Sequence, residues 1–423
     1  MDPDRVVLVS PPPPEVVTVR QWLAHAAKDL QPVMPRRKRP TLLTEDLTGP
    51  GGRPIDAPAL LGVDPDSLET LWRNFGGLSY SAQAIGMRDE AEPAPPWRGF
   101  EDVWIPISDE FALAGRLGTA RGPDGRPARA DCIVILPGLC GTNNILRLSD
   151  LARALVDRGF HALSLELRGL GQTDARYPRA EHTWGIRETG DLLTVATWLQ
   201  RKPHIRRTGL MAFSWSANIA LLTAWADGRP ENHPSVHPKI AWHLRAKRAG
   251  RHYEAGIISI SPVLDIEVLG DKLQRPHSFF TRPVMTGLQD TIRKRKIHKK
   301  YTDRSGRLRR LIRQHNGMGY PDAYDDCMRY LRLLPYRGKP AGDKLEDARV
   351  PVLIMHAADD PIGPVQTVAD LMATVENPNV AAIVLPSGGH IGFAPFARDW
   401  YYSMVMSFFD PVRGAAAAAS RRK

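Results

Sequence analysis

The chain has 423 residues, 43% of them apolar and 24% charged, which excludes a disordered or fibrous protein and leaves length for a large α/β domain with insertions. Its three cysteines, Cys132, Cys140 and Cys327, are too few and too scattered for a disulfide framework or a zinc knuckle, which fits a reducing compartment. The net charge of +11 is concentrated rather than spread, because residues 293–313 hold eleven lysines and arginines against Asp303 alone.

Residues 1–97 are rich in proline, glycine and charge, with PPPP at 11–14, PRRKRP at 35–40, GPGGRP at 49–54 and EPAPP at 92–96. They read as an arm carrying short helices over 17–28 and 66–75. Asp2 and Asp4 followed by prolines lack the basic-then-apolar order of a signal peptide. The longest apolar runs, such as CIVIL at 132–136, fall far short of the ~18 residues of a spanning helix. A cytoplasmic protein is the expectation.

From residue 98 the pattern changes. FEDVWIPI and FALAGRLG alternate apolar and polar residues across the turn-like SDE, as in an antiparallel hairpin. Apolar runs then alternate with helical stretches. CIVILPG (132–138) precedes a helix at 144–158, HALSLELRG (161–169) one at 187–201, and TGLMAFS (208–214) one at 215–227, after which comes AGIISISP (255–262). A long basic insertion over 265–345 reads as a helical cap. The pattern resumes with VPVLIMHA (350–357), a helix at 364–375, NVAAIVLP (379–386) and a helix at 395–409. Continuous apolar strands between helices imply a parallel sheet covered on both faces. The resulting division is an arm (1–97), two parts of an α/β core (98–264 and 346–412) around the inserted cap, and a disordered tail (413–423). A hairpin feeding such a sheet, with a late insertion, is the plan of the α/β-hydrolase fold.

MAFSWSAN at 211–218 sits where that plan turns sharply from strand to helix, which makes Ser214 the candidate nucleophile. Small residues two before and two after let the backbones pass closely, and here they are Ala212 and Ser216. A hydroxyl needs a base, and the base needs an acid to hold it. HAADDPIG and SGGHIGF follow the next two strands in the order the plan requires, supplying Asp360 and His390. Asp359 is the competing acid; Asp360 is preferred because it lies four residues past His356 of the strand, where the loop clears the sheet edge. LPGLCGTNN follows the first parallel strand, so the Leu139 N–H, shaped by Pro137 and Gly138, and the Trp215 N–H are the candidate oxyanion donors. Cys140 reads as a loop residue. His182, His298 and His356 read as ordinary polar or packed residues. No metal cluster and no glycine-rich dinucleotide loop appears, so no cofactor is expected.

PGLCGTNN, LRGLGQTD, AFSWSAN, HAADDP and GGHIGF, in this order, resemble the YheT-like branch of the α/β hydrolases over residues 100–410. The resemblance implies esterase or lipase-like acyl chemistry with Ser214, Asp360 and His390 in the triad positions. Pro137, Ala212 and Ser216 depart from that branch, which carries histidine at the first position and glycine at the other two. Two readings stand beside hydrolysis of a carboxylic ester or thioester: acyl transfer to an alcohol by the same residues, and a binding protein on an inactive hydrolase fold. The basic stretches lack interleaved stacking aromatics, so nucleic acid is not expected. A localised basic face at 293–313 can attract anionic lipid, making peripheral membrane contact an expectation beside a small-molecule or lipid ester substrate.

Overall fold

The computed structural model describes residues 7, 9, 18–30, 41–43, 48–49, 53–54, 79, 81–82, 95–143, 148–230, 232–234, 236, 252–314, 333 and 345–410. The helix expected at 66–75, most of the arm and the tail at 413–423 lie outside them. So do 144–147 and much of 315–344.

The arm contributes α1 (Val19–Asp29), opened by a capping box between Thr18 and Gln21, and β1 (Thr41–Leu43). A two-stranded ribbon, β2 (Thr48–Gly49) with β3 (Arg53–Pro54), follows. Next comes the expected hairpin, β4 (Phe100–Ser108) and β5 (Phe111–Gly118), paired antiparallel across the turn at Asp109 and Glu110. The α/β core then runs β6 (Ala130–Leu136), α2 (Leu148–Asp157), β7 (His161–Glu166), α3 (Gly171–Arg176), α4 (Ile186–Gln200), β8 (Ile205–Phe213), α5 (Trp215–Asp227) and β9 (Gly256–Ile260). Three helices form the described part of the insertion: α6 (Ile266–Lys272), α7 (Arg282–His298) and α8 (Leu308–Gln314). Finally β10 (Val352–Ala357), α9 (Val365–Thr374), β11 (Val380–Leu385) and α10 (Phe393–Phe409) complete the core.

One nine-stranded sheet organises these elements in the order β1-β11-β10-β9-β8-β6-β7-β5-β4. The strands from β7 to β11 run parallel, whereas β5 is antiparallel to both of its neighbours. This is the α/β-hydrolase fold expected from the alternation of apolar runs and helices. Side chains of a strand alternate between faces, and in β6 that alternation divides the residues between two cores. Cys132, Val134 and Leu136 belong to the core that also holds buried residues of α4, α5 and α9. Ile133 and Ile135 belong to a second core, which also holds buried residues of α1, α2 and α10. A strand buried on both faces has no reason to alternate polarity, which is why these runs are continuously apolar.

Two expectations need correction. The arm does more than carry short helices, because Thr41–Leu43 extends the main sheet antiparallel to β11, with Leu42 opposite Ile383. Its partner strand lies more than three hundred residues away, so no local pattern announces it. The basic segment is also partly internal. Arg295 is buried, donates to the Gly169 carbonyl and lies 3.8 Å from Asp174. Buried Lys296 pairs with Asp303 at 2.8 Å and donates to the Ser305 carbonyl, while Lys299 bridges Asp174 at 2.7 Å and Glu181 at 3.2 Å. Arg295 and Lys299 hold α7 to the segment after β7, and Lys296 ties it to the turn before α8, instead of facing outward.

Candidate active site

In a parallel sheet the carboxyl ends of the strands share one rim, and the loops leaving β6, β8, β10 and β11 meet there. Ser214 occupies the junction of β8 and α5 with φ 58° and ψ −125°, a conformation costly for a side-chain-bearing residue. Its N–H donates to the Ile260 carbonyl at the end of β9 at 2.8 Å, which holds the turn from below. Ala212 and Ser216 are both buried, and their small size lets the turn close without the two glycines usual at these positions.

His390 lies in the loop after β11. Gly388 and Gly389 precede it at φ 153° and 56°, left-handed values that only glycine adopts cheaply. Its Nε2 is 2.7 Å from Ser214 Oγ, and its Nδ1 lies 2.9 and 3.1 Å from the two carboxylate oxygens of Asp360. Asp360 stands in the loop after β10, where its Oδ1 accepts the N–H groups of Ile362 at 2.8 Å and Gly363 at 3.0 Å. Burial alone would push the Asp360 carboxyl up; the adjacent His390, by charge and hydrogen bond, outweighs it and holds the group below the usual carboxylate range. The three expected residues therefore form one buried hydrogen-bonded line.

Asp359, the competing acid, points elsewhere. Its Oδ1 accepts the Gly389 N–H at 2.9 Å, so it braces the histidine loop through the backbone, and its buried Oδ2 has no hydrogen-bond partner among the described residues. Burial, together with the nearby Asp360 charge, pushes its carboxyl up to about 7. The neighbouring strand histidine, His356, donates through Nε2 to the Gly363 carbonyl at 2.8 Å, and burial lowers its pKa. It is a packed, neutral residue that steadies the turn bearing Asp360.

The loop after β6 reaches the serine. A Cβ placed on Gly138 would come within 2.9 Å of Ser214 Cβ, so only glycine allows this approach. Gly141 N–H closes a turn onto the Gly138 carbonyl at 2.8 Å, with Leu139 and Cys140 buried inside it. Trp215 opens α5, where the first N–H groups have no acceptor within the helix. Glu166 ties this loop to the next: its carboxylate accepts Asn143 N–H at 2.8 Å and Gln172 N–H at 2.7 Å. Burial raises the Glu166 pKa. Among the described residues no group of three or more His, Cys, Asp or Glu side chains is placed to hold a metal ion.

A sequence model of the alpha/beta hydrolase family matches residues 133–401, which contain all of these side chains. The chain belongs to the α/β hydrolase family. Its curated relatives include an uncharacterized 31.7 kDa protein in the traX-finO intergenic region of Escherichia coli, 28% identical over 125 residues. That alignment covers 29% of this hydrolase-family chain and 42% of the relative, so the chain spans less than half the length of the protein it matches. Similar solved structures include the 2,6-dihydroxy-pseudo-oxynicotine hydrolase, at 16% identity and TM-score 0.47, covering 76% of this chain and 69% of that one. Another is a Pyrococcus furiosus esterase, at 16% identity and TM-score 0.45, covering 75% and 98%.

Sequence reasoning missed two hydroxyls of this α/β hydrolase. Ser261, at φ 47° beyond β9, accepts the Ile391 N–H at 3.3 Å. Ser81 of the arm contacts the backbone of His390. Neither sits in a motif, and a serine in a polar stretch carries no local signal of its distant partner. Of the histidines read as ordinary, His182 is buried 3.1 Å from Glu188, and His298 lies 2.8 Å from Asp174.

Proposed function

We propose that the chain is a serine hydrolase that cleaves carboxylic esters, of the YheT-like branch of its family. The observation that carries this reading is the 2.7 Å contact between Ser214 Oγ, on a strand-to-helix turn at φ 58°, and a histidine whose other nitrogen faces an ionised aspartate. In the first step the Ser214 hydroxyl attacks the acyl carbon as its proton passes to His390 Nε2. Asp360, accepting the Nδ1–H, fixes the imidazole in the tautomer that leaves Nε2 free to accept, and stabilises the imidazolium that forms. The N–H groups of Leu139 and Trp215 hold the negative oxygen of the tetrahedral intermediate, aided by the positive end of α5. His390 returns the proton to the leaving alcohol, then activates the water that releases the acid from the acyl-enzyme.

A fluorophosphonate probe followed by peptide mapping tests this. Labelling is expected at Ser214 and is abolished in Ser214→Ala and strongly slowed in His390→Ala. A purified, folded chain that takes no label refutes the proposal and leaves a binding protein on the hydrolase fold.

We further propose that the outward-facing remainder of the basic insertion contacts anionic membrane surfaces. Arg293, Lys294, Lys300, Arg304, Arg307 and Arg310 are exposed, and Phe279, in the loop before α7, is 78% exposed. Cations near a charged bilayer and an aromatic ring at its interface act together in such contacts. Among the described residues no helix is long and apolar enough to cross a membrane.

A further inference from the structure

We infer that Ser81 is a positioning residue, through which the N-terminal arm clamps His390 in register with Ser214. The inference rests on the hydrolase reading above. It concerns a residue outside the 133–401 segment that defines the family, so nothing about that family demands it.

The contact is unusually complete for one hydroxyl. Ser81 Oγ donates to the His390 carbonyl at 2.9 Å and accepts the His390 N–H at 2.8 Å, so both backbone polar groups of the base are satisfied by a single side chain. Ser81 itself has no exposed surface. The site needs such a clamp. His390 belongs to neither a helix nor a strand, and its neighbours Gly389 and Ile391 both hold positive φ, 56° and 62°. The loop closes on itself through Gly392 N–H to the Gly388 carbonyl at 2.9 Å, but no ladder bond holds His390, and beyond Ser81 the described backbone ties of its two neighbours are the single bonds from Gly389 N–H to Asp359 and from Ile391 N–H to Ser261. A general base must stay within hydrogen-bond reach of the proton it takes, and displacements near 1 Å can cost roughly 100-fold in rate.

The rest of the described arm grips the same part of the chain. β1 pairs with β11, the strand that leads into the histidine loop. Val19 N–H donates to the Pro378 carbonyl at 3.1 Å, and Arg20 Nε to that of Val380 at 3.0 Å. Val7 and Val9 donate to the hydroxyls of Ser403 and Ser407 on α10, at 3.0 and 2.9 Å. The arm thus brackets the segment carrying His390 from the strand before it to the helix after it, and Ser81 is the point at which the bracket reaches the base. An arm that only covered apolar surface would place no hydroxyl across both amide groups of a catalytic histidine.

The test compares wild type, Ser81→Ala and Ser81→Thr in the full chain. Esterase kcat and KM are measured on a short p-nitrophenyl ester. Alongside them run the rate and final stoichiometry of fluorophosphonate labelling at Ser214, and amide hydrogen exchange over residues 386–394. For Ser81→Ala we expect kcat and the labelling rate to fall together by ~10- to 100-fold. KM should stay within about threefold. The final labelled fraction should match wild type, and protection over 386–394 should be lost. Ser81→Thr, which keeps the hydroxyl, should recover most of the rate. An alanine variant with wild-type rate and protection overturns the inference. So does one whose labelled fraction falls while the surviving molecules react at the wild-type rate, because that is a folding defect. A wild-type chain that takes no probe overturns the hydrolase reading, and the positioning role with it. That outcome is distinct from a labelled wild type in which Ser81→Ala changes nothing.

Discussion

Replacing Asp360 with asparagine isolates the role of the acid without changing its shape. Oδ1 of Asp360 accepts two backbone N–H groups, from Ile362 and Gly363, so the asparagine carbonyl must take that position. Its NH2 group then falls where Oδ2 now stands, 2.9 Å from His390 Nδ1. An amide donor facing Nδ1 forces that nitrogen to accept, which moves the imidazole proton to Nε2, opposite Ser214 Oγ. The histidine can no longer take the serine proton. The same acid-to-amide change in a triad protease lowers kcat by ~10⁴, equivalent to about 5.5 kcal/mol of transition-state stabilisation. We expect a loss of that order for Asp360→Asn, with KM nearly unchanged and a thermal midpoint close to wild type because the backbone bonds survive. The assay is kcat and KM on a p-nitrophenyl ester beside a melting curve. A variant within tenfold of wild-type kcat would refute the tautomer argument, as would an equal loss in Asp359→Asn, which leaves His390 Nδ1 facing Asp360.

Gly138→Ala should lower kcat by ~10- to 100-fold with little loss of fold, since a Cβ 2.9 Å from Ser214 Cβ must push the serine or the oxyanion loop away; wild-type kcat would show that the loop yields freely. Asp359→Asn tests a pH effect whose sign is set by the raised carboxyl. The native state binds that proton more tightly than the unfolded chain between pH ~4 and 7, so this group's stabilising contribution falls as pH rises through that window, by up to about 4 kcal/mol. The melting temperature of Asp359→Asn relative to wild type should therefore rise from pH 5 to pH 8; a constant difference would refute it. Binding to vesicles rich in anionic lipid should weaken steeply as salt rises from 50 to 500 mM, within the range where screening lengths fall to a few ångströms. Equal binding to neutral vesicles would refute the charged-face reading.

Strand and helix identities in the core were legible because a doubly covered parallel sheet demands runs such as CIVIL and VLIM, and the helices between them are separated by glycine and proline turns. The order serine, acid, histidine was legible for the same reason: each stands in the loop after a readable strand. Loop position favoured Asp360 over Asp359, but the role of Asp359 needed the geometry, because one residue of register along the loop turns Asp360 to the imidazole and Asp359 to the Gly389 amide. The fate of the positive charge was also a tertiary matter, since a lysine or arginine looks identical in sequence whether it is solvated, like Lys294, or buried against a carbonyl, like Arg295. Sequence periodicity reports which face of an element is covered, and so it determined the layers of this protein. What covers that face, down to a three-residue strand at the sheet edge and a serine across the backbone of the histidine, depends on contacts between residues some three hundred positions apart. Only folding brings such partners together, and no local pattern encodes them.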